Sequence, residues 1–177
     1  TEVKEARDRV RAALATARFD FPQSRVIVNL APADLPKESG RFDLPIALGI
    51  LAATKQVPAG PLEGLEFAGE LALSGELCPI RGALAMTLAA HRDGRAFVLP
   101  EASAREAALV PGAIVHPAKS LLDVCAHLAG RERLVRVEGV ARANGVEWPD
   151  LADVKGQAQA RRALEIAAGG GHSLLSL

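Results

Sequence analysis

Residues 36–55 constrain this chain more than any other stretch. Pro36-Lys37-Glu38-Ser39-Gly40-Arg41 is a charged turn broken by proline and glycine, and Phe42-Asp43-Leu44-Pro45-Ile46-Ala47 leads from it into an apolar helix expected to run to about Lys55. Proline is tolerated in a first helical turn, where its missing N–H is no loss. A carboxylate at a helix start accepts backbone N–H bonds and meets the positive end of the macrodipole, which stabilises by about 1 kcal/mol. Asp43 is therefore expected to cap this helix.

The rest of the chain alternates between helical and strand patterns. Residues 2–18 read as an amphipathic helix, with Val3, Ala6, Val10, Ala13, Leu14 and Ala17 on one face and Thr1 as its N-cap. The β-branched run Arg25 to Leu30 predicts a buried strand. Phe67 to Leu73 and Leu77 to Ile80 read as a hairpin about a tight Ser74-Gly75 turn. Gly82 to Asp93 reads as a helix with Leu84, Leu88 and His91 on one side. Strands follow at Ala96–Leu99 and Ala113–Val115, with a short helix over Glu101–Leu109 between them. Pro117 is expected to open a helix that stops at Gly130. The order predicts an α+β fold, a mixed sheet with helices on one face.

Residues 131–149 are charged and weakly periodic, contain Gly139, Gly145 and Pro149, and read as an interdomain linker carrying the lone Trp148. Gln157 to Ala168 reads as a helix ended by Gly169-Gly170-Gly171, with a strand starting at Ser173. The chain opens on Thr1 rather than Met and closes at Leu177 within an apolar run, so both ends are expected to be cut edges of a longer protein.

Composition narrows the function classes. The chain has 177 residues with 21 basic and 21 acidic side chains, so its net charge is zero. That balance argues against a basic nucleic-acid surface across the whole chain, though not against a local patch. Two cysteines, Cys78 and Cys125, form no CxxC pair, and a reducing cytoplasm fits them best. Cys125 shares a stripe with Leu121 and Leu128 and reads as a small buried apolar residue. No apolar run approaches the ~20 residues of a membrane span, so no membrane partner is expected. His91, His116, His127 and His172 are scattered without ligand spacing, and no metal site is expected.

Several segments, in order along nearly the whole chain, resemble the ComM/YifB family of magnesium-chelatase (ChlI)-like AAA+ ATPases. They include Val28-Asn29-Leu30-Ala31-Pro32-Ala33-Asp34-Leu35-Pro36-Lys37, Phe42-Asp43-Leu44-Pro45-Ile46-Ala47 and Gly69-Glu70-Leu71-Ala72-Leu73-Ser74-Gly75. The later ones are Asp150-Leu151-Ala152-Asp153-Val154-Lys155-Gly156-Gln157 and Arg162-Ala163-Leu164-Glu165-Ile166-Ala167-Ala168-Gly169-Gly170-Gly171-His172. The resemblance implies a ribosomal S5 domain 2-like (Lon proteolytic-domain-like) domain over residues 1–130, with its first strands missing, then the 131–149 linker. Residues 150–177 would be the start of the AAA+ module, truncated before its phosphate-binding loop. It also implies a parent that is a hexameric, ATP- and Mg-dependent motor acting on DNA, with branch migration in natural transformation as its role. In that parent Val154, Lys155, Gly156 and Gln157 would lie beside the adenine.

The same resemblance brings a protease into view and then removes its chemistry. Asp43 stands at the position resembling the nucleophilic serine of Lon, and Leu84 at that of its lysine. A hydroxyl nucleophile needs an adjacent base, and neither residue supplies half of that pair. The expected catalytic set is therefore empty. The chain also contains no G-x-x-x-x-G-K-[ST] loop, so no cofactor is expected in this fragment itself. Two alternatives remain: a degenerate Lon-type peptidase using another nucleophile near Asp43, and a nucleic-acid-binding module by analogy with the ribosomal relative. The loop charges Lys37, Glu38 and Arg41 are candidate contacts for a partner or DNA, in a loop that reads first as solvated. The basic cluster Arg131, Arg133 and Arg136 reads first as a solvated linker.

Overall fold

A computed structural model of the chain describes residues 2–30 (backbone alone for 2–4), 40–138 and 150–174. It divides into two compact units, 1–142 and 143–177. Thr1, Lys37 and Trp148 lie outside the described residues, as does most of the strand expected after Ser173.

The first unit begins with helix α1 (Glu2–Thr16). Its apolar stripe is buried as the periodicity predicts, with Val10, Ala13 and Leu14 essentially inaccessible. The run Arg25–Leu30 is not a strand: it joins no ladder among the described residues, and Ile27 is 75% exposed. β-Branched composition favours a pleated surface but does not create one, because a strand exists only where neighbouring backbone accepts its hydrogen bonds.

A 3₁₀ turn, Gly40–Phe42, leads into α2 (Asp43–Ala53). Leu44, Ala47, Leu48, Ile50 and Leu51 are all buried, and α2 packs against α1. The segment expected to be one strand from Phe67 divides at Ala68-Gly69. Strand β1 (Leu65–Phe67) joins the main sheet, while β2 (Glu70–Leu71) pairs antiparallel with β3 (Leu77–Cys78). Gly75 takes φ +85° in the connecting turn, a conformation glycine adopts without steric cost.

Helix α3 (Ala83–Arg92) precedes strand β4 (Ala96–Pro100). A 3₁₀ turn, Glu101–Ser103, and the one-turn helix α4 (Ala104–Ala107) lead to β5 (Ile114–Ala118). Pro117 is therefore in a strand, not at a helix start. Helix α5 (Leu121–Leu128) begins at Ser120, which forms a reciprocal capping box with Asp123. Cys125 is buried on its inner stripe, as expected. Strand β6 (Val137–Glu138), inside the segment read as a linker, pairs antiparallel with β5.

The sheet has the order β1-β4-β5-β6, with β1, β4 and β5 parallel. It is the mixed sheet of an α+β fold, but its helices occupy both faces rather than one. Val98 and Ala118 belong to the core shared with α1, α2 and α5, while Phe97, Leu99 and Val115 belong to that of α3 and α4. Alternate strand residues point to opposite faces, so neighbouring positions serve the two cores. On α3 the inward residues are Ala83, Thr87 and Ala90, and Leu84 and Leu88 are left 41% and 38% exposed. Small residues let a helix axis approach a sheet closely, which here outweighs the larger apolar area of the leucines.

The second unit holds a 3₁₀ turn, Leu151–Asp153, and helix α6 (Ala158–Gly170), none of whose residues is buried. The helix continues through Gly169 and Gly170 and stops at Gly171, which takes φ +63°.

Candidate functional site

The start of α2 is where the sequence placed its chemistry, and the structure gives Asp43 a role different from capping. The N-cap is Phe42, without a side-chain cap bond. Backbone from the β1–β2 junction closes the helix end instead: Leu44 N–H donates to the Gly69 carbonyl at 2.9 Å, and Gly69 N–H donates to the Arg41 carbonyl at 2.9 Å. A Cβ on Gly69 would sit 2.8 Å from Leu77 Cδ2 and 3.3 Å from Leu44 Cβ, so the close approach needs glycine. A Cβ on Gly40 would likewise run into the Glu70 side chain.

This arrangement frees the Asp43 carboxylate for tertiary bonds. Arg9 Nε donates to Oδ2 at 2.7 Å and Arg9 Nη2 donates to Oδ1 at 3.2 Å, a bidentate fork across 34 residues of chain. Leu71 N–H donates to Oδ2 at 3.2 Å. The Asp43 side chain is 1% exposed and that of Arg9 24%. One carboxylate thus ties α1, α2 and β2 together. Its hydrogen bond holds the Arg9 guanidinium pKa above its ordinary value against the opposing effect of burial, with the charges of Asp43, Glu70 and Glu5 adding to it.

A cleft of about 800 Å³ opens beside this pair, walled by Arg9, Val10, Phe21, Val28, Phe42 and Ile46, among others. Arg11 stacks over Phe21 with 5.5 Å between Cζ and the ring centroid. Arg41 stacks over Phe42 at 5.3 Å, and its buried Nε has no partner among the described residues. The wall is mainly apolar with guanidinium groups set into it.

Leu84 does not share this site. It lies exposed on α3, beside Ala83, which packs into the other core; its N–H donates to Glu106 Oε1 at 3.0 Å. The near-site thiol, Cys78, is poorly suited to nucleophilic chemistry. Burial pushes its pKa up, and Glu70 and Glu76 push it further, whereas a reactive cysteine needs a lowered pKa.

In the second unit, Val154, Lys155, Gly156 and Gln157 form an exposed bend before α6. Gly156 and Gln157 both take positive φ, 77° and 49°, and Arg161 Nη1 donates to the Val154 carbonyl at 3.2 Å.

Sequence reasoning missed Arg9 and Glu70. Arg9 is one of three arginines at alternate positions of α1, with Arg7 and Arg11, and nothing local distinguishes it. Its only signal is that it adjoins Val10 at the edge of the apolar stripe.

Comparisons with known proteins identify relatives of this chain. A family profile described as "Subunit ChlI of Mg-chelatase" matches residues 1–103, and one described as "Magnesium chelatase, subunit ChlI" matches residues 150–177. The chain is 48% identical over 180 residues to competence protein ComM of Haemophilus influenzae, covering 99% of this chain and 35% of that protein. It is 44% identical over 175 residues to the protein YifB of Escherichia coli, again 99% of this chain and 35% of the relative. A more distant likeness, 27% identity over 92 residues, joins 51% of the chain to 11% of a Lon protease of Chloroflexus aggregans. The chain thus spans about a third of the length of the curated relatives it matches along its whole extent. It belongs to the ComM/YifB family of magnesium-chelatase-like proteins.

Proposed function

We propose that this chain is the non-catalytic N-terminal part of a ComM-like AAA+ ATPase whose parent works as a hexameric ring on DNA in the cytoplasm. In this reading the first unit is a platform for assembly or DNA positioning. Residues 131–149 connect it to the ATPase lead-in at 150–177, where Val154 to Gln157 would border the adenine of ATP-Mg bound by the parent.

The observation that carries the non-catalytic reading is the state of Asp43. Its carboxylate sits in the place resembling a protease nucleophile, buried, and among the described residues it bonds Arg9 and the Leu71 N–H, which tie the fold together. The motor reading is supported by whole-chain similarity to a protein named for competence. No residue of this chain supplies a phosphate-binding lysine in a glycine loop, so no step of ATP hydrolysis is assigned to it. The Lon likeness favours a peptidase as the second reading, but that reading lacks a nucleophile.

The test uses the full-length parent. ATP-dependent movement of a four-way DNA junction, with no casein cleavage, is the expected result. Casein cleavage that disappears in Asp43→Ala, with the fold intact by circular dichroism, would replace the platform with a peptidase. Absence of any ATP-dependent action on DNA would remove the motor.

A further inference from the structure

Two histidines hold down the chain that leaves the first unit. His116 on β5 and His127 on α5 lie with ring centroids 5.2 Å apart, tilted by 38°. Both meet the backbone of the strap 131–138. Leu134 N–H donates to His127 Nδ1 at 3.2 Å, and His116 Nδ1 lies 3.2 Å from the Val135 carbonyl. The strap also pairs Val137 with Val115 and Glu138 with Ile114, packs Leu134 and Val137 against the two cores, and donates the Arg131 and Glu132 N–H groups to the Ala126 carbonyl.

The two bonds demand opposite proton placements. A carbonyl can only accept, so His116 Nδ1 must carry hydrogen. A backbone N–H can only donate, so His127 Nδ1 must be bare, which requires the neutral imidazole. Protonating His116 leaves its bond intact. Protonating His127 places an N–H against the Leu134 N–H and destroys the bond.

We propose that His127 is a proton-operated clasp, which holds residues 131–138 on the domain when neutral and releases them when charged. The groups facing it favour a sharp response. His116 faces it from β5 and Arg133 from the strap. Asp123, one turn earlier on α5, is committed to the Lys119 and Ser120 N–H groups, and Glu138 is paired with Arg136 at 2.8 Å. The charges that act on His127 are those of His116 and Arg133, and no carboxylate is among them. Burial first, then His116 and Arg133, hold its pKa below the ordinary value of 6.5.

The sign follows from linkage. With the folded pKa depressed, the unfolded or released form binds more protons once pH falls below 6.5. The clasp is therefore closed above that value and opens as pH falls through the lowered folded pKa. Release adds residues 131–138 to the segment that joins the domain to residue 150, which gives an assembly of these units a proton-dependent tether.

The experiment is amide hydrogen exchange on the full 177-residue chain at pH 8 and pH 5, corrected for intrinsic exchange. Protection at Leu134 and Val137 should fall at least ~10-fold at the lower pH, while Val98 and Leu121 in the core stay protected. His127→Asn offers an oxygen acceptor in nearly the same place without a titrating ring, and should abolish the pH dependence while keeping the strap protected. Equal strap protection at both pH values in the native chain would overturn the clasp. So would an undiminished pH dependence in His127→Asn.

Discussion

The Asp43 anchor and the His127 clasp fix the chain by opposite means. At Asp43 a full charge is buried and satisfied by another full charge and a backbone N–H. At His127 a neutral ring accepts one N–H, with a second histidine and an arginine nearby. The anchor joins two helices and a strand at the centre of the first unit, so breaking it strands a buried charge. The clasp holds only an eight-residue strap at the rim. A charge pair suits a junction that must never open, and a neutral acceptor suits one that protons can undo.

Asp43→Ala is the harshest way to break the comparison. Removing one partner of a buried pair costs about 3–5 kcal/mol; the partial exposure of Arg9 places the expected loss near the lower end. Urea unfolding of the 177-residue chain would read it as a lower midpoint. Gly69→Ala comes next, because its Cβ must displace Leu77 and Leu44; overpacking of this kind costs about 1–3 kcal/mol. Ser120→Ala removes the capping box of α5, the helix that carries His127, and should cost about 1 kcal/mol by the same measurement. Leu84→Lys restores a base at the position resembling the Lon lysine. It should change stability by less than about 0.5 kcal/mol, because Leu84 is 41% exposed, and should yield no casein cleavage.

The thiols offer a still gentler check. Burial pushes Cys125 up to about 12, and Cys78 is also raised. A thiol-specific disulfide reagent at neutral pH should therefore label Cys78 slowly and Cys125 only on unfolding. Rapid labelling of Cys78 in the native chain would mean a lowered pKa and would reopen the search for a nucleophile.

What the sequence disclosed depended on how locally each feature is encoded. The α1 stripe through Val10, Ala13 and Leu14, and the α5 stripe through Leu121 and Cys125, were legible because helical periodicity lies within one element. The inward face of α3 was not, because its leucines are the conspicuous residues while Ala83, Thr87 and Ala90 meet the core. Arg25–Leu30 has strand composition, but strand formation depends on a partner that composition cannot reveal. Pro117 suggested a helix start, yet Ser120 with Asp123 was the stronger local signal. At Asp43 the sequence suggested a helix cap, and the tertiary role was not legible, since Arg9 lies 34 residues away. The histidine clasp was equally hidden: His116 and His127 sit on separate elements, and the backbone that each bonds belongs to the strap.

The central claim is that Asp43 and Arg9 act as one structural unit at the start of α2. A double-mutant cycle in urea, using Asp43→Asn, Arg9→Met and the pair together, tests it most directly. The account predicts a coupling of at least about 1.5 kcal/mol, with the double variant less destabilised than the two single losses added. Strictly additive losses, or an Asp43→Asn chain as stable as the native one, would contradict it.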